Sequence, residues 1–284
     1  MKKNLSVVIV TFHSEEIIEK TINSFIKNEI IIVECSNNKD LKKKLLKKHP
    51  NIKFILSKNN LGYTAGNNLG IKNSSYDDVL ILNPDALMTN ESKIELLNYM
   101  NSINNYGILC PNLGNEICKT FSKKNKNKPI KICWEAIGNG LVGGCAFLLN
   151  KKILKNEIYF DEKIFIYKED TDMLKRANDK NIDIYYLPKS SVQHIGSSSH
   201  KKSLDNELKI SRQFHWPYGN VYFYCKHFGI GKAIKKWGRK YLSSFFKTIF
   251  YFVTFNLKYK IYFARFLGIS SAFLKLKAWY RPKI

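Results

Sequence analysis

Two acidic groups in this chain have the residue types and surroundings for chemistry. Asn83-Pro84-Asp85 closes the apolar run Val79 to Leu82, and Glu169-Asp170-Thr171-Asp172 follows much further along. One placed carboxylate can anchor a metal-bound diphosphate. Another can take the proton from an attacking hydroxyl. Together they describe group transfer from a nucleotide.

The elements that must position these carboxylates can be read from the pattern around them. Val79 to Leu82, four apolar residues flanked by Asp77, Asp78 and Asn83, suit a strand buried on both faces of an α/β sheet. Pro84 ends it, leaving Asp85 just past the carboxyl end of the strand, where open sheets bind their ligands. The same three residues would also serve as a turn and cap for a helix beginning near Asn90. Upstream, Leu5 to Thr11 reads as a strand, Glu15 to Lys27 as a helix capped by Ser14, and Ile30 to Cys35 as a second strand. Asp40 to Lys48 reads as a helix, Ile52 to Leu56 as a third strand and Thr64 to Lys72 as a helix. Strands alternating with helices predict a mostly parallel sheet with right-handed crossovers. No dinucleotide fingerprint or P-loop pattern follows the first strand.

Asn59-Asn60-Leu61-Gly62-Tyr63-Thr64-Ala65-Gly66-Asn67-Asn68-Leu69-Gly70 is a second candidate binding element. Its small residues would let the backbone approach a bulky ligand, and its amides offer donors and acceptors to a ribose or base. A tight turn leading into a glycine-tolerant helix would use the same residues.

Composition bounds the class. A chain of 284 residues with 44% hydrophobic content can bury a substantial core. Its six cysteines form no C-x-x-C pair and no zinc-like group with histidines, so they read as reduced thiols. The start Met1-Lys2-Lys3-Asn4 runs straight into a strand pattern and resembles no signal peptide, which predicts a cytoplasmic catalytic part. Charge divides the chain near Glu207: from Leu208 to Ile284 there are 16 Lys and Arg and no Asp or Glu, out of a net charge of +24. The expected organisation is a catalytic domain over 1–207 and a basic, aromatic helical segment over 208–284.

Several short motifs also occur in one order: Thr11-Phe12-His13, Glu34-Cys35-Ser36, Asn60 to Gly70, Leu82-Asn83-Pro84-Asp85, Gly143-Gly144-Cys145-Ala146, and Phe160-Asp161-Glu162 leading to Asp172, then His194. This ordered set resembles family 2 glycosyltransferases over roughly residues 4 to 200, with the nearest likeness to bacterial rhamnosyltransferase-like members. The resemblance implies an α/β GT-A nucleotide-binding sandwich with a mostly parallel central sheet. It also implies inverting sugar transfer from a nucleotide-sugar, dTDP- or UDP-linked, assisted by Mg²⁺ or Mn²⁺. Two positions depart from the family pattern. The usual D-x-D appears as Asn83-Pro84-Asp85, leaving one carboxylate for the cation, and Glu34 stands where family members carry the Asp that bonds a pyrimidine.

Carried over residue by residue, the resemblance makes Asp85 the metal residue, with His194, in Gln193-His194-Ile195-Gly196, as a further metal or diphosphate contact. It makes Asp170 the general base. Glu169 and Asp172 would hold the acidic cluster or bind acceptor hydroxyls, and Arg176 would either pair with that cluster or lie on a solvated face. Thr11, Phe12, Glu34, Asn60, Gly62, Gly66, Asn67, Asn83 and Asp85 form the candidate donor-binding set. If Lys168 to Asn181 is a helix, Asp170 and Asp172 do not share a face, so Asp170 is expected at the helix start, where the helix dipole favours an anion.

Tyr241 to Phe255 is almost continuously apolar but shorter than the ~20 residues of a spanning helix. With Lys235, Lys236, Arg239 and Lys240 beside it, it fits a helix lying among lipid headgroups. A buried helical cap or a contact between copies would use the same pattern. The expected partners are a polyprenyl-diphosphate-linked saccharide acceptor and the anionic inner face of a bacterial membrane, in surface polysaccharide synthesis. A nucleic-acid-binding protein would share the basic charge, but no recognisable nucleic-acid module is present and the aromatics lie in apolar runs. A nucleotidyltransferase would need a Gly-rich basic loop after Val10, which is missing. A catalytically silent membrane scaffold would keep the tail without needing Asp85 and Asp170.

Overall fold

The computed structural model describes residues 4–125, 127–194 and 205–282, with the side chains of Asn156 and Glu157 set aside. Met1, Lys2 and Lys3, on which the leaderless start rested, lie outside the described residues, as do Ile195 and Gly196 after His194.

The chain divides into two compact units, one taking in Met1–Phe160 and Met173–His200, the other Asp161–Asp172 and Lys201–Ile284. In the first, strands and helices alternate: β1 (Leu5–Thr11), α1 (Ile18–Ser24), β2 (Glu29–Glu34), α2 (Lys39–Lys48), β3 (Lys53–Leu56), α3 (Gly62–Asn73) and β4 (Asp78–Leu82). There follow β5 (Ala86–Leu87), α4 (Asn90–Ser102), β6 (Ile108–Asn112), α5 (Glu116–Lys124), β7 (Ile130–Lys131), β8 (Ala146–Asn150) and α6 (Lys151–Ile158). After α7 (Glu169–Asp179), whose first turn belongs to the second unit, come β9 (Ile184–Ser191) and β10 (Gln193–His194).

Eight strands form one sheet in the order β3-β2-β1-β4-β8-β6-β9-β7. The pairs β1–β2, β1–β4, β2–β3 and β6–β9 are parallel, while β8 runs antiparallel between β4 and β6. The architecture is therefore α/β with a large, mostly parallel central sheet flanked by helices. Both faces are buried, which is why the strands read as unbroken apolar runs. Val7, Ile9, Ile30, Ile32, Leu80 and Leu82 enter one core, and their neighbours Val8, Ile31, Val33, Val79 and Ile81 enter the other. Successive side chains on a strand point to opposite faces.

Local signals hold at most element starts, with one correction. Asn38 and Thr89 cap α2 and α4 through their side chains, so Thr89 does the capping that Asn83-Pro84-Asp85 was weighed for. Helix α1 is shorter than Glu15 to Lys27, and Ser14 does not cap it. Ile17 sits at its N-cap without a side-chain bond, and the Ser14 hydroxyl lies 3.3 Å from the Phe12 N–H.

In the second unit α8 (Asp205–Phe228), α9 (Ile230–Val253) and α10 (Tyr259–Phe273) pack around Phe214, Tyr218, Val221, Trp237, Ala264 and Ile269. Ile164 and Phe165 join that core. The basic segment over 208–284 thus lies within a folded helical bundle whose unit also takes in residues 161–172. Among the described residues no helix is long and apolar enough to cross a membrane.

Close approach of α3 to β1 explains two glycines. A Cβ on Gly66 would lie 2.8 Å from Val10 Cγ1, and one on Gly70 2.2 Å from Val8 Cγ1. Their smallness serves helix–strand packing. Gly70→Ala should cost about 1–3 kcal/mol, read as a lower urea midpoint, and Val8→Ala in the same chain should recover part of the loss.

Candidate active site

Asp85 is placed by bonds from four directions. The Asn83 N–H donates to the Cys145 carbonyl at 2.9 Å, just before β8, and the Ala86 N–H donates to the Asn83 carbonyl at 3.1 Å. The Thr21 hydroxyl of α1 donates to the Pro84 carbonyl at 2.7 Å. Strand β5 then pairs antiparallel with β10, setting His194 opposite Ala86. The result brings His194 Nε2 to 3.2 Å from Asp85 Oδ1. Asp85 is 2% exposed, while the imidazole is partly open. The hydrogen bond to Asp85 raises the His194 pKa above its ordinary value, against the opposing effect of burial.

An oxygen and a nitrogen ligand side by side suit a cation of the Mg²⁺ or Mn²⁺ class that takes its remaining ligands from phosphate and water. No group of three or more His, Cys, Asp or Glu among the described residues could hold a metal alone. A depression of about 420 Å³ lined by Asn4, Ser75, Asp78 and Lys152 lies at the amino ends of β1 and β4, the other end of these strands from Asp85.

The candidate donor set is more mixed. Thr11 Oγ1 and Asn67 Oδ1 are buried without a hydrogen-bond partner among the described residues, the condition of groups awaiting a ligand or water. Phe12 is half-buried beside His13, ring centroids 4.8 Å apart. Asn60 Oδ1 accepts from the Gly62 N–H at 3.0 Å, closing the turn into α3. Glu34 is fully buried and bonded within its own loop. One oxygen accepts from the Ser36 N–H at 2.9 Å and from its hydroxyl, the other from the Asn38 N–H at 2.7 Å. Its extra methylene folds the carboxylate back onto residues 36–38.

The acidic cluster belongs to the helical unit. Helix α7 starts at Glu169, so Asp170 sits in its first turn, as expected for a charge at a helix N-terminus. Asp170 Oδ1 accepts from the N–H and hydroxyl of Thr171, at 2.6 and 3.1 Å. Burial raises the Asp170 pKa. Burial, followed by the charge of Asp170, raises that of Glu169 well above the usual carboxylate range. Glu169 Oε2 has no partner among the described residues.

Asp172 is different in kind. It is 0% exposed and both oxygens are taken: Lys226 Nζ lies 2.8 and 3.0 Å from them and His227 Nε2 lies 2.8 Å from Oδ1. Lys226 also reaches Asp161 at 2.7 Å, with the Tyr222 hydroxyl at 2.9 Å. Burial opposes ionisation of Asp161, but the Lys226 hydrogen bond wins and lowers its pKa. Asp172 is therefore a fastening point between the first turn of α7 and α8. Just before it, Tyr167 and Lys168 hold φ of 69° and 74°, a strained conformation for side chains with a Cβ. Gly219 of α8 makes room for this turn, since a Cβ there would lie 2.2 Å from the Tyr167 carbonyl oxygen.

Lys226, His227, Tyr222 and Gly219 were not singled out in the sequence. The available signal was thin: a Lys-His pair at the end of a helix, adjacent to Phe228-Gly229. Arg176, left between two readings, donates to the Tyr159 carbonyl.

Two outcomes follow for the acidic cluster. Lys226→Met should cost about 3 kcal/mol by stranding buried carboxylates, measured by urea unfolding, whereas Lys232→Met on the exposed start of α9 should change stability by less than about 0.5 kcal/mol. For Glu169, the unfolded chain releases its proton near the ordinary value of about 4.3 while the folded chain retains it. Its contribution to stability therefore falls as pH climbs from there toward the raised folded value. Glu169→Gln should leave the melting temperature unchanged at about pH 4 and raise it at about pH 7, by about 2–4 °C for each kcal/mol relieved.

Comparison with known proteins bears on the same residues. The profile of Glycosyl transferase family 2 matches residues 6–158, which include Asp85 and the whole candidate donor set and end before Glu169 and His194. The low-salt glycan biosynthesis hexosyltransferase Agl10 of Haloferax volcanii is 29% identical over 204 residues, 65% of this chain, and the chain spans 64% of that protein's length. S. aureus TarS 1-349 in complex with UDP superposes with a TM-score of 0.54 at 17% identity, covering 79% of this chain and 72% of TarS. A further TarS 1-349 structure gives 0.54 at 13% identity over 98% and 93%. At these identities TarS speaks for the fold. With more than half of its length matched by the family profile, the chain belongs to Glycosyl transferase family 2.

Proposed function

We propose that this chain is an inverting, metal-assisted glycosyltransferase that moves a hexose from a dTDP- or UDP-sugar to a saccharide acceptor. The observation that carries the reading is the Asp85–His194 pair, buried on one side and partly open on the other, at the carboxyl end of β4 in a family 2 chain. The naming of Agl10 as a hexosyltransferase in glycan biosynthesis, and the UDP bound by TarS, support a nucleotide-activated hexose. L-Rhamnose is the first sugar to test, from the likeness of the motifs to rhamnosyltransferase-like sequences.

Asp85 and His194 would hold Mg²⁺ or Mn²⁺, which when bound offsets the charge on the departing diphosphate. Thr11 Oγ1 and Asn67 Oδ1 would take hydrogen bonds from the donor nucleoside. Asp170 accepts the acceptor hydroxyl's proton as that oxygen bonds to the anomeric carbon. The bond from this carbon to the diphosphate oxygen breaks with inversion. A carboxylate whose pKa is raised by burial is the better base near neutral pH. Glu169, whose pKa is raised by burial and by the charge of Asp170, adds less repulsion to the cluster, and Asp172, paired with Lys226 and bonded to His227, fixes the turn. A lipid-linked acceptor at the inner face of a bacterial membrane completes the reading, supported by the basic charge of the helical unit.

Asp170→Asn should lower transfer by about 10²–10⁴-fold with UDP affinity unchanged, measured with purified protein, a panel of nucleotide-sugars and Mn²⁺. Asp85→Ala should abolish the Mn²⁺ dependence of UDP binding. Full turnover by Asp170→Asn would overturn the mechanism, and Mn²⁺-independent donor binding in the unaltered protein would remove the metal.

A further inference from the structure

We propose that the tip of the α9–α10 hairpin inserts into the headgroup region of an anionic lipid bilayer. The inference deepens the membrane-facing part of the proposed function and rests on it. The tip is built of apolar side chains left largely uncovered, with Phe252 meeting the Tyr259 ring edge to face at 5.6 Å. Phe255 is 96% exposed and Leu257 72%, with Phe252 and Val253 also open. On α9, Leu242, Phe246, Ile249 and Val253 are all exposed, and at 100° a residue they fall within about 60° of one another. One face of the helix is thus an apolar stripe that runs to the turn. From Phe246 to Val253 it covers about 10 Å along the axis, close to the ~5–10 Å depth of interfacial helices.

The turn that presents these residues is internally satisfied. The Asn256 N–H donates to the Tyr251 carbonyl at 2.8 Å and the Phe255 N–H to the Phe252 carbonyl at 3.1 Å, which is the Schellman ending of a helix. Its left-handed position, where glycine is the usual residue, holds Phe255 at φ 52°. A bulky ring is forced into a strained conformation and turned to the outside, where water gives it no compensating contact.

Charge identifies the occupant. Lys247, Lys258 and Lys260 are exposed around the tip, and no acidic residue occurs from Leu208 to Ile284. Tyr251 and Tyr262 stack 5.3 Å apart between α9 and α10, with Lys247 over Tyr262 at 5.2 Å and Lys258 over Tyr251 at 5.9 Å. Tyrosines and snorkelling lysines behind an apolar tip make the sequence of layers that a bilayer interface accommodates. Further from the tip the exposed face of α9 turns basic at Lys235 and Arg239, which draws the unit toward an anionic leaflet. A second copy would bring the same lysines against their own kind, and like charges placed face to face oppose association.

Flotation of the full-length protein with vesicles tests this. The protein should float with vesicles of equal parts phosphatidylcholine and phosphatidylglycerol, and not with phosphatidylcholine alone. Phe255→Ser/Leu257→Ser should weaken that binding by about tenfold or more, the share carried by burying a large apolar side chain. Phe255→Trp should gain a blue-shifted emission on adding the anionic vesicles, relative to the unaltered protein. Equal flotation of the double variant, no emission shift, or no flotation of the unaltered protein would each overturn the proposal. So would a dimer in analytical ultracentrifugation that the double variant splits, because the face would then belong to a second copy. UDP binding by the same samples separates the two ideas: its loss in the unaltered protein would sink the proposed chemistry while leaving vesicle binding to stand by itself.

Discussion

Asp172 has no exposed surface and would be too costly to ionise alone, yet Lys226 and His227 meet both of its oxygens from one turn of α8. Through this contact the turn carrying Glu169 and Asp170 is built on the helical bundle. Lys226 ties Asp161 into the same network, Ile164 and Phe165 contribute to the bundle core, and the Ala278 N–H donates to the Lys163 carbonyl at 2.9 Å. A buried charge pair of this sort adds little net stability compared with an apolar pair, but it is expensive to half-remove. Its value is in fixing one arrangement of a strained turn. The carboxyl-terminal helices are therefore more than an attachment: without them Asp161 and Asp172 lose their countercharges.

The sheet unit solves a different problem. Its strands are buried on both faces, so side chains useful for chemistry can emerge only where strands end. Asp85 emerges there, held through backbone bonds from Asn83 and Ala86 and through the Thr21 hydroxyl, and it gains His194 by the pairing of two very short strands. Each support comes from a different part of the chain. The position of the carboxylate is thus set by its neighbours in the sheet unit rather than by the loop itself.

Two glycines and one glutamate show where a motif was seen before its reason. Gly66 and Gly70 stood in a run that suggested close approach to a ligand, and their smallness is used against Val10 and Val8. Glu34 occupies a position where the family pattern has a shorter acid, and its carboxylate bonds back to residues 36–38. Ser14 looked like a helix cap, but its hydroxyl sits close to Phe12, in the turn before α1. For the glycines the partner lay on a distant strand, while Glu34 and Ser14 found theirs within a few residues.

The sequence alone determined the alternation of strands and helices through Leu82, the place of Asp85 just past a buried strand, the ordered motifs of the family, and the basic bundle's charge. These rest on periodicity, proline and glycine punctuation and composition, all of which act over a few residues. Tertiary structure decided that β8 would run antiparallel inside the sheet, that His194 would reach Asp85, and that residues 161–172 would fold with α8 and α10. It also decided which tail aromatics are core and which stand in the open: Phe214 and Trp237 are buried, while Phe246 and Phe255 are exposed. Those outcomes depend on contacts between distant segments, whose free energy comes from mutual burial and pairing of charge, and no local stretch of sequence carries both partners.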